Sequence, residues 1–408
     1  MSVNTTEASN TLAGDAARYL TDPTFRQDPW QFFARLRAEA PVIQSDAGVW
    51  LITGYEAASE ALRNDELLSR REAGLKHLVV DEPEARLIIT SKMLYNDRPE
   101  HTRLRRLVSH AFTRSGIARW RERIAEVANN RLDVMLPNGH MDLVSDYTYP
   151  VVAHIIAELL GIRQGDLPQF LAWSEAITEP PPGGDVTLFR EIANEATHAI
   201  TSYVRDRIAE RRSEPADDLL TKLIRAEEPG DGTLAEHELV AMTIELIHAG
   251  FETTSNFVSN GTHVLLQHPD QLGELIADIS LLPAAIDELL RYESPAPMPL
   301  PRVAIADVEI NGKEINKGDT VVIALAAANR DPAYFPDPER FDIHRTDNNF
   351  ISFGFGAHYC LGHALARLEA TELFTALLVR VPTIRSPGVA KWSNHQFFRT
   401  LATLPVAW

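Results

Sequence analysis

The sequence predicts a mainly α-helical chain with small β-sheets, an α+β fold. Three observations carry this reading. Long segments repeat apolar residues at helical spacing, and two short segments alternate around turn dipeptides. A third stretch, 234–266, is apolar on most faces and has no internal proline, as a helix crossing the whole molecule would be.

From the N-terminus, the first twenty residues are polar and are expected to form a flexible tail on one domain spanning 1–408. They contain no apolar core of the kind a secretory signal needs, so none is expected. Val42-Ile43 and Val49-Trp50-Leu51-Ile52 flank Asp46-Ala47-Gly48 and read as a hairpin. Helical periodicity covers 102–112, 117–136, 151–160 and 191–212. Pro180-Pro181-Pro182-Gly183-Gly184 interrupts it, and a loop over a cavity is expected there. Helices are expected again at 234–266, 283–292 and 362–379. Between the last two, Val308-Glu309-Ile310 and Lys313-Glu314-Ile315 are joined by Asn311-Gly312, the preferred type I′ turn, and a strand is expected over 320–325.

A chain of this length buries roughly 75% of its unfolded surface, enough to enclose a cofactor. Its 57 acidic and 39 basic residues give a formal net charge of -18, which disfavours nucleic acid and anionic membrane as partners. No apolar run approaches the ~20 residues of a membrane span. A cytoplasmic monomer is expected. One cysteine excludes an internal disulfide and any multi-cysteine metal site.

That cysteine lies in Phe353-Gly354-Phe355-Gly356-Ala357-His358-Tyr359-Cys360-Leu361-Gly362, which runs into a helix. A lone cysteine is ordinarily a small buried hydrophobe. Here glycines let the backbone wrap the sulfur, and loop amides and a helix N-terminus can stabilise a thiolate. A dinucleotide loop is a poor reading, because Tyr359 stands where a third glycine belongs. Midway along the long helix, Ala249-Gly250-Phe251-Glu252-Thr253-Thr254 places a glycine where it costs about 1 kcal/mol. Small residues there would let the backbone approach a flat cofactor. Glu288-Leu289-Leu290-Arg291 puts an acid and a base on one helix face, in isolation an ordinary surface pair.

The ten-residue string around Cys360 resembles the haem-binding signature of the cytochrome P-450 haem-thiolate monooxygenases. The other motifs follow in that family's order, and the resemblance covers most of the chain from about Asp97 onward. It implies the family fold, with the long helix over a b-type haem (iron protoporphyrin IX) whose iron is bound by Cys360. Phe353, Gly354, Gly362, Ala249 and Gly250 would contact that cofactor. His101, Arg105, Arg302 and His358 match the family's propionate contacts, although Arg98 replaces the first of two prolines usual before this helix. Glu252 and Thr253 match the acid–alcohol pair that supplies protons for oxygen–oxygen cleavage. Glu288 and Arg291 match a buried pair that braces the ligand loop.

The implied activity is activation of dioxygen to hydroxylate or otherwise oxidise a small organic substrate, a secondary metabolite by analogy with soluble bacterial members. The chain holds no flavin or nicotinamide module. Electrons are therefore expected from NAD(P)H through a ferredoxin reductase and a ferredoxin, docking at a patch of Arg103, Arg105, Arg106 and Arg114. Coupling, epoxidation or dehydrogenation would use the same oxidant. A peroxide-driven enzyme is disfavoured by Glu252 and Thr253, and a non-catalytic haem or ligand carrier would show no turnover. Substrate contacts are expected from Glu245, His248, Ala249, Pro297 and Met298. Glu245 and His248 are polar where relatives are usually apolar, so Glu245 needs a partner: His248, an arginine of the lid segment, or a polar group of the substrate.

Overall fold

In a computed structural model, the structure describes residues 11–64, 68–76, 79–178, 185–228, 232–395 and 397–408. The expected loop at Pro180–Gly184 lies outside the described residues. So do the first ten positions, but Leu12–Thr21 is a helix capped by Thr11, with Ala16 and Tyr19 buried. The second half of the expected tail is thus structured. Its apolar side packs on Phe33 and Leu36, a contact that short-range polarity did not reveal.

The long helix spans Glu236–Gln267. Glu236 and Glu238 lie in its first turn, where negative charge complements the helix dipole, and Glu238 also accepts from the Ala235 amide at 2.8 Å. Pro269 follows its end. Helices Tyr149–Leu159, Val186–Ser213, Leu282–Tyr292 and His363–Arg380 pack around it. At Gly261 a Cβ would lie 2.9 Å from Phe374 and 3.2 Å from Leu289, so glycine permits the close crossing with the last two.

Beside the helices lies a five-stranded sheet of β1 (Val42–Gln44), β2 (Trp50–Ile52), β3 (Leu68–Ser69), β4 (Arg302–Ala304) and β5 (Thr320–Ile323), in the order β1-β2-β5-β4-β3. The first expected hairpin is β1–β2, with Val42 opposite Ile52. The second pairs Val308–Ile310 with Lys313–Ile315. Its Asn311 and Gly312 both have positive φ, 49° and 71°, as a type I′ turn demands. β5 ends at Ile323 rather than residue 325, because Leu325–Ala328 turns into a short helix. No helix among the described residues is long and apolar enough to cross a membrane.

Candidate active site

The ligand loop is wound as its glycines suggested. Gly354 and Gly356 have φ of 72° and 73°, and the Cys360 amide donates to the Phe353 carbonyl at 2.9 Å. Gly362 and His363 open the last long helix, and their amides point at the Cys360 sulfur. Burial pushes the thiol above its ordinary value, and these amides, Arg105 and Arg367 oppose that push. Phe353 lies under the Arg367 guanidinium at 4.6 Å and its ring packs near Tyr359 and His363. The loop thus presents one half-buried sulfur among oriented amides and cations.

Behind it, Glu288 and Arg291 are fully buried and paired through two hydrogen bonds, 2.7 and 2.8 Å. Arg291 also donates to the carbonyls of Asn329 and Pro338, each at 2.9 Å. Asn329 in turn binds Ser352 and the Ile351 amide at 2.7 and 2.8 Å. The exposed pair that spacing alone suggested is instead a brace reaching the ligand loop.

The four expected anion-binding residues converge. The His101 and His358 rings lie against each other, centroids 4.0 Å apart and tilted by 42°. Burial, and then the charges of Arg70, His101, Arg302 and Arg105, hold His358 far below its ordinary value. Arg105 donates to the Tyr359 carbonyl at 2.6 Å, and Arg302 to the carbonyls of Ala61 and Leu62, both at 3.2 Å. Arg70 is an addition that the sequence reading missed. A sulfur ligand beside a cluster of arginines and imidazoles is the donor set an iron porphyrin with carboxylate side chains requires.

On the long helix Ala249 is exposed in the middle of an otherwise buried stretch, and the Thr253 hydroxyl donates to the Ala249 carbonyl at 2.6 Å. The glycine beside them also has a packing reason. A Cβ on Gly250 would sit 2.6 Å from the Ile156 side chain, so its smallness permits packing against Tyr149–Leu159. Glu252 lies 3.8 Å from His395. The sequence reading also missed Glu369. This acid of the ligand helix is hydrogen-bonded to Thr254, and burial raises its carboxyl to about 8, so it is protonated at neutral pH. An acid between Leu365, Leu368 and Leu373 on a buried face was the available signal.

Glu245 has protein partners, though not those expected. Its Oε1 accepts from the Leu94 amide at 3.1 Å, and the charged neighbours are Lys92 and Arg70. His248 is not its partner. Burial raises Glu245 to about 7 and lowers Lys92 to about 8, while His248 is held well below its ordinary value. Glu245 Oε2 and His248 Nε2 have no hydrogen-bond partner among the described residues. Pro297 is buried beside His395 and Phe398, whereas Met298 packs partly against the core of the N-terminal helices.

The basic patch needs correcting. Arg103 is engaged by Glu100 and Glu238, and Arg105 turns inward. Only Arg106 is exposed, and the side chain of Arg114 lies outside the described residues. Acids distant in sequence neutralise what a local count had made basic.

The cytochrome P450 family model matches residues 26–398. The chain is 37% identical to the cytochrome P450 monooxygenase PikC of Streptomyces venezuelae, over 94% of this chain and 92% of that protein. It is 36% identical to 6-deoxyerythronolide B hydroxylase of Saccharopolyspora erythraea, over 95% and 98%. The solved structure of PksS, a polyketide synthase cytochrome P450 of Bacillus subtilis 168, superposes with a TM-score of 0.85 at 36% identity, covering 94% of this chain and 97% of that one. With its thiolate loop, brace and cationic cluster in place, the chain belongs to the cytochrome P450 family and is a haem-dependent monooxygenase that needs redox partners.

Proposed function

We propose that this chain oxidises a mainly apolar secondary metabolite bearing one neutral hydrogen-bonding group, with electrons from a ferredoxin and its reductase. The observation that carries the reading is the pairing of two faces. The Cys360 sulfur receives the Gly362 and His363 amides, and the helix they open packs on the long helix bearing Ala249 and Thr253. When bound, the haem supplies dioxygen activation and oxygen-atom transfer. Arg70, His101, Arg105, Arg302 and His358 would orient its carboxylates.

The chain's own contribution is protons and position. Thr253 parks its hydroxyl proton on the Ala249 carbonyl and can redirect it toward the cavity. Glu369 holds a proton at neutral pH, hydrogen-bonded to the residue next to Thr253. Glu252, facing His395, is a second carboxylate through which protons can reach the interior.

The substrate reading rests on Glu245 Oε2 and His248 Nε2, since unpartnered buried groups cost about 1–3 kcal/mol each. Lys92 balances Glu245 and His248 is neutral, so a hydroxyl or amide suits the site better than a charged group. The names of the relatives favour a polyketide-like skeleton.

The test is a reduced carbon-monoxide spectrum with reconstituted turnover. The wild type should show the red-shifted thiolate band and form product only when ferredoxin, reductase and NADPH are all present, and Cys360→Ser should lose both. A globin-like spectrum refutes the ligand assignment, and full activity without ferredoxin refutes the donor. For the substrate, Glu245→Leu should weaken type I binding of a hydroxylated macrolactone on the order of 10-fold or more. Unchanged affinity makes Glu245 purely structural.

A further inference from the structure

The segment 79–95 covers the long helix one turn from Ala249, through the Leu94–Glu245 bond and the helix Pro83–Thr90. Its apolar hold is divided: Ile88 and Met93 enter the main core, whereas Val80, Ala85 and Ile89 form with Ala193 a small cluster apart from it. Its polar hold on the Val186–Ser213 helix is dense. His198 Nε2 lies 2.6 Å from Glu82 and Nδ1 lies 3.2 Å from Glu84, whose other oxygen accepts from Arg205 at 2.6 Å. Asn194 donates to Asp81 at 2.8 Å and accepts from the Asp81 and Glu82 amides, while Arg190 donates to the Val79 carbonyl at 3.2 Å.

Both ring nitrogens of His198 face carboxylates, and only the imidazolium donates from both. We propose that His198, held between Glu82 and Glu84, is a proton-operated latch that fastens the 79–95 segment to the Val186–Ser213 helix and sets how often the cavity opens.

The facing groups fix the direction of control. From the covering segment they are Glu82 and Glu84, with Asp81 at one end paired to Arg190. From the helix itself Arg205 acts through Glu84. On the adjoining helical segment, Asp166 serves Tyr203 and Glu175 faces Tyr149. The hydrogen bond to Glu82, with help from Glu84, raises His198 above its ordinary value. The latch is therefore complete below the ordinary imidazole value and is lost as pH rises through the raised one. Arg205 holds Glu84 below the usual carboxylate range. Once His198 loses its proton, Glu82 and Glu84 are like charges and Arg205 is paired with Glu84 alone. The segment then keeps its Asn194 and Arg190 bonds and its apolar contacts but loses the charged tie at its centre, which favours local opening.

Hydrogen exchange on the haem-loaded protein without substrate tests this, and does not depend on what the enzyme oxidises. After correction for intrinsic rates, amides of 79–95 in the wild type should open about 3- to 10-fold more readily at about pH 9 than at about pH 6. His198→Phe should be open to the higher degree at both, and His198→Lys closed at both. Amides of Leu282–Tyr292 should not change in any of the proteins. A pH trend surviving in His198→Phe overturns the proposal. So does His198→Lys opening like His198→Phe, since imidazole shape rather than charge would then hold the segment.

Discussion

Glu288 and Glu245 are both buried carboxylates, yet their surroundings treat them differently. Around the first, the Asp342 amide and Arg345 add to the bonds of Arg291, and every donor is led to the carboxylate or to a backbone carbonyl. Around the second, one carboxylate oxygen accepts from a backbone amide and the other has no hydrogen-bond partner among the described residues. A buried ion pair with all its bonds made is a frame. A buried carboxylate with an acceptor left over is a place where something else can be held. The side of the site that holds the sulfur is finished by the protein alone, and the side around Glu245, the proposed substrate side, is not.

The largest expected effect comes from breaking the finished side. Arg291→Ala removes the bidentate partner of buried Glu288 and leaves it with Arg345 and the Asp342 amide, which costs about 3–5 kcal/mol. Purified Arg291→Ala should lose most of its haem and its thiolate carbon-monoxide band, and haem content with a denaturant titration checks both. If Arg291→Ala keeps the band and wild-type stability, the brace is not a frame.

On the unfinished side Thr253→Ala should bind substrate normally but yield on the order of 10-fold or more less product per electron pair, the balance leaving as peroxide or water. Parallel measurement of NADPH, peroxide and product decides. Full coupling would move the proton donor to another group.

A smaller effect sharpens the comparison by pH. Glu369 keeps its proton up to about 8 in the folded chain but releases it near the ordinary carboxylate value when unfolded. The folded state thus binds more protons between those values, and stability falls as pH rises across them. Glu369→Gln removes that fall and should be more stable than wild type on the alkaline side, by on the order of 2 kcal/mol. Thermal melts from about pH 5 to about pH 9 test it, and parallel profiles would show that Glu369 does not titrate there.

The smallest effect concerns partner docking. With Arg103 and Arg105 occupied, Arg106→Glu should raise the ferredoxin requirement only about 2- to 3-fold, diminishing with salt. A loss much greater than that would mean that Arg106 anchors the partner alone.

What the sequence revealed was local or periodic. The ligand loop, the long helix and the Asn311-Gly312 turn are each specified by neighbours in the chain, and each stands where it was expected. The misses share a cause. Arg103 seemed available until Glu238, 135 residues away, closed on it. The partner of Glu245 proved to lie 151 residues upstream, on a backbone amide that no residue type announces. Gly250 has a packing reason that its motif does not announce, because the space of its missing side chain is taken by Ile156. Periodicity shows which face turns inward. It does not show what waits there.

The chain of bonds from Arg291 through Asn329 to Ile351 and Ser352 has a bearing on how such a protein can change over generations. None of these residues lies in the 79–95 segment, on the Val186–Ser213 helix, or among the groups around Glu245. Mutations that reshape the substrate side can therefore accumulate without disturbing the sulfur, and a lineage can try new molecules while its oxidant stays the same.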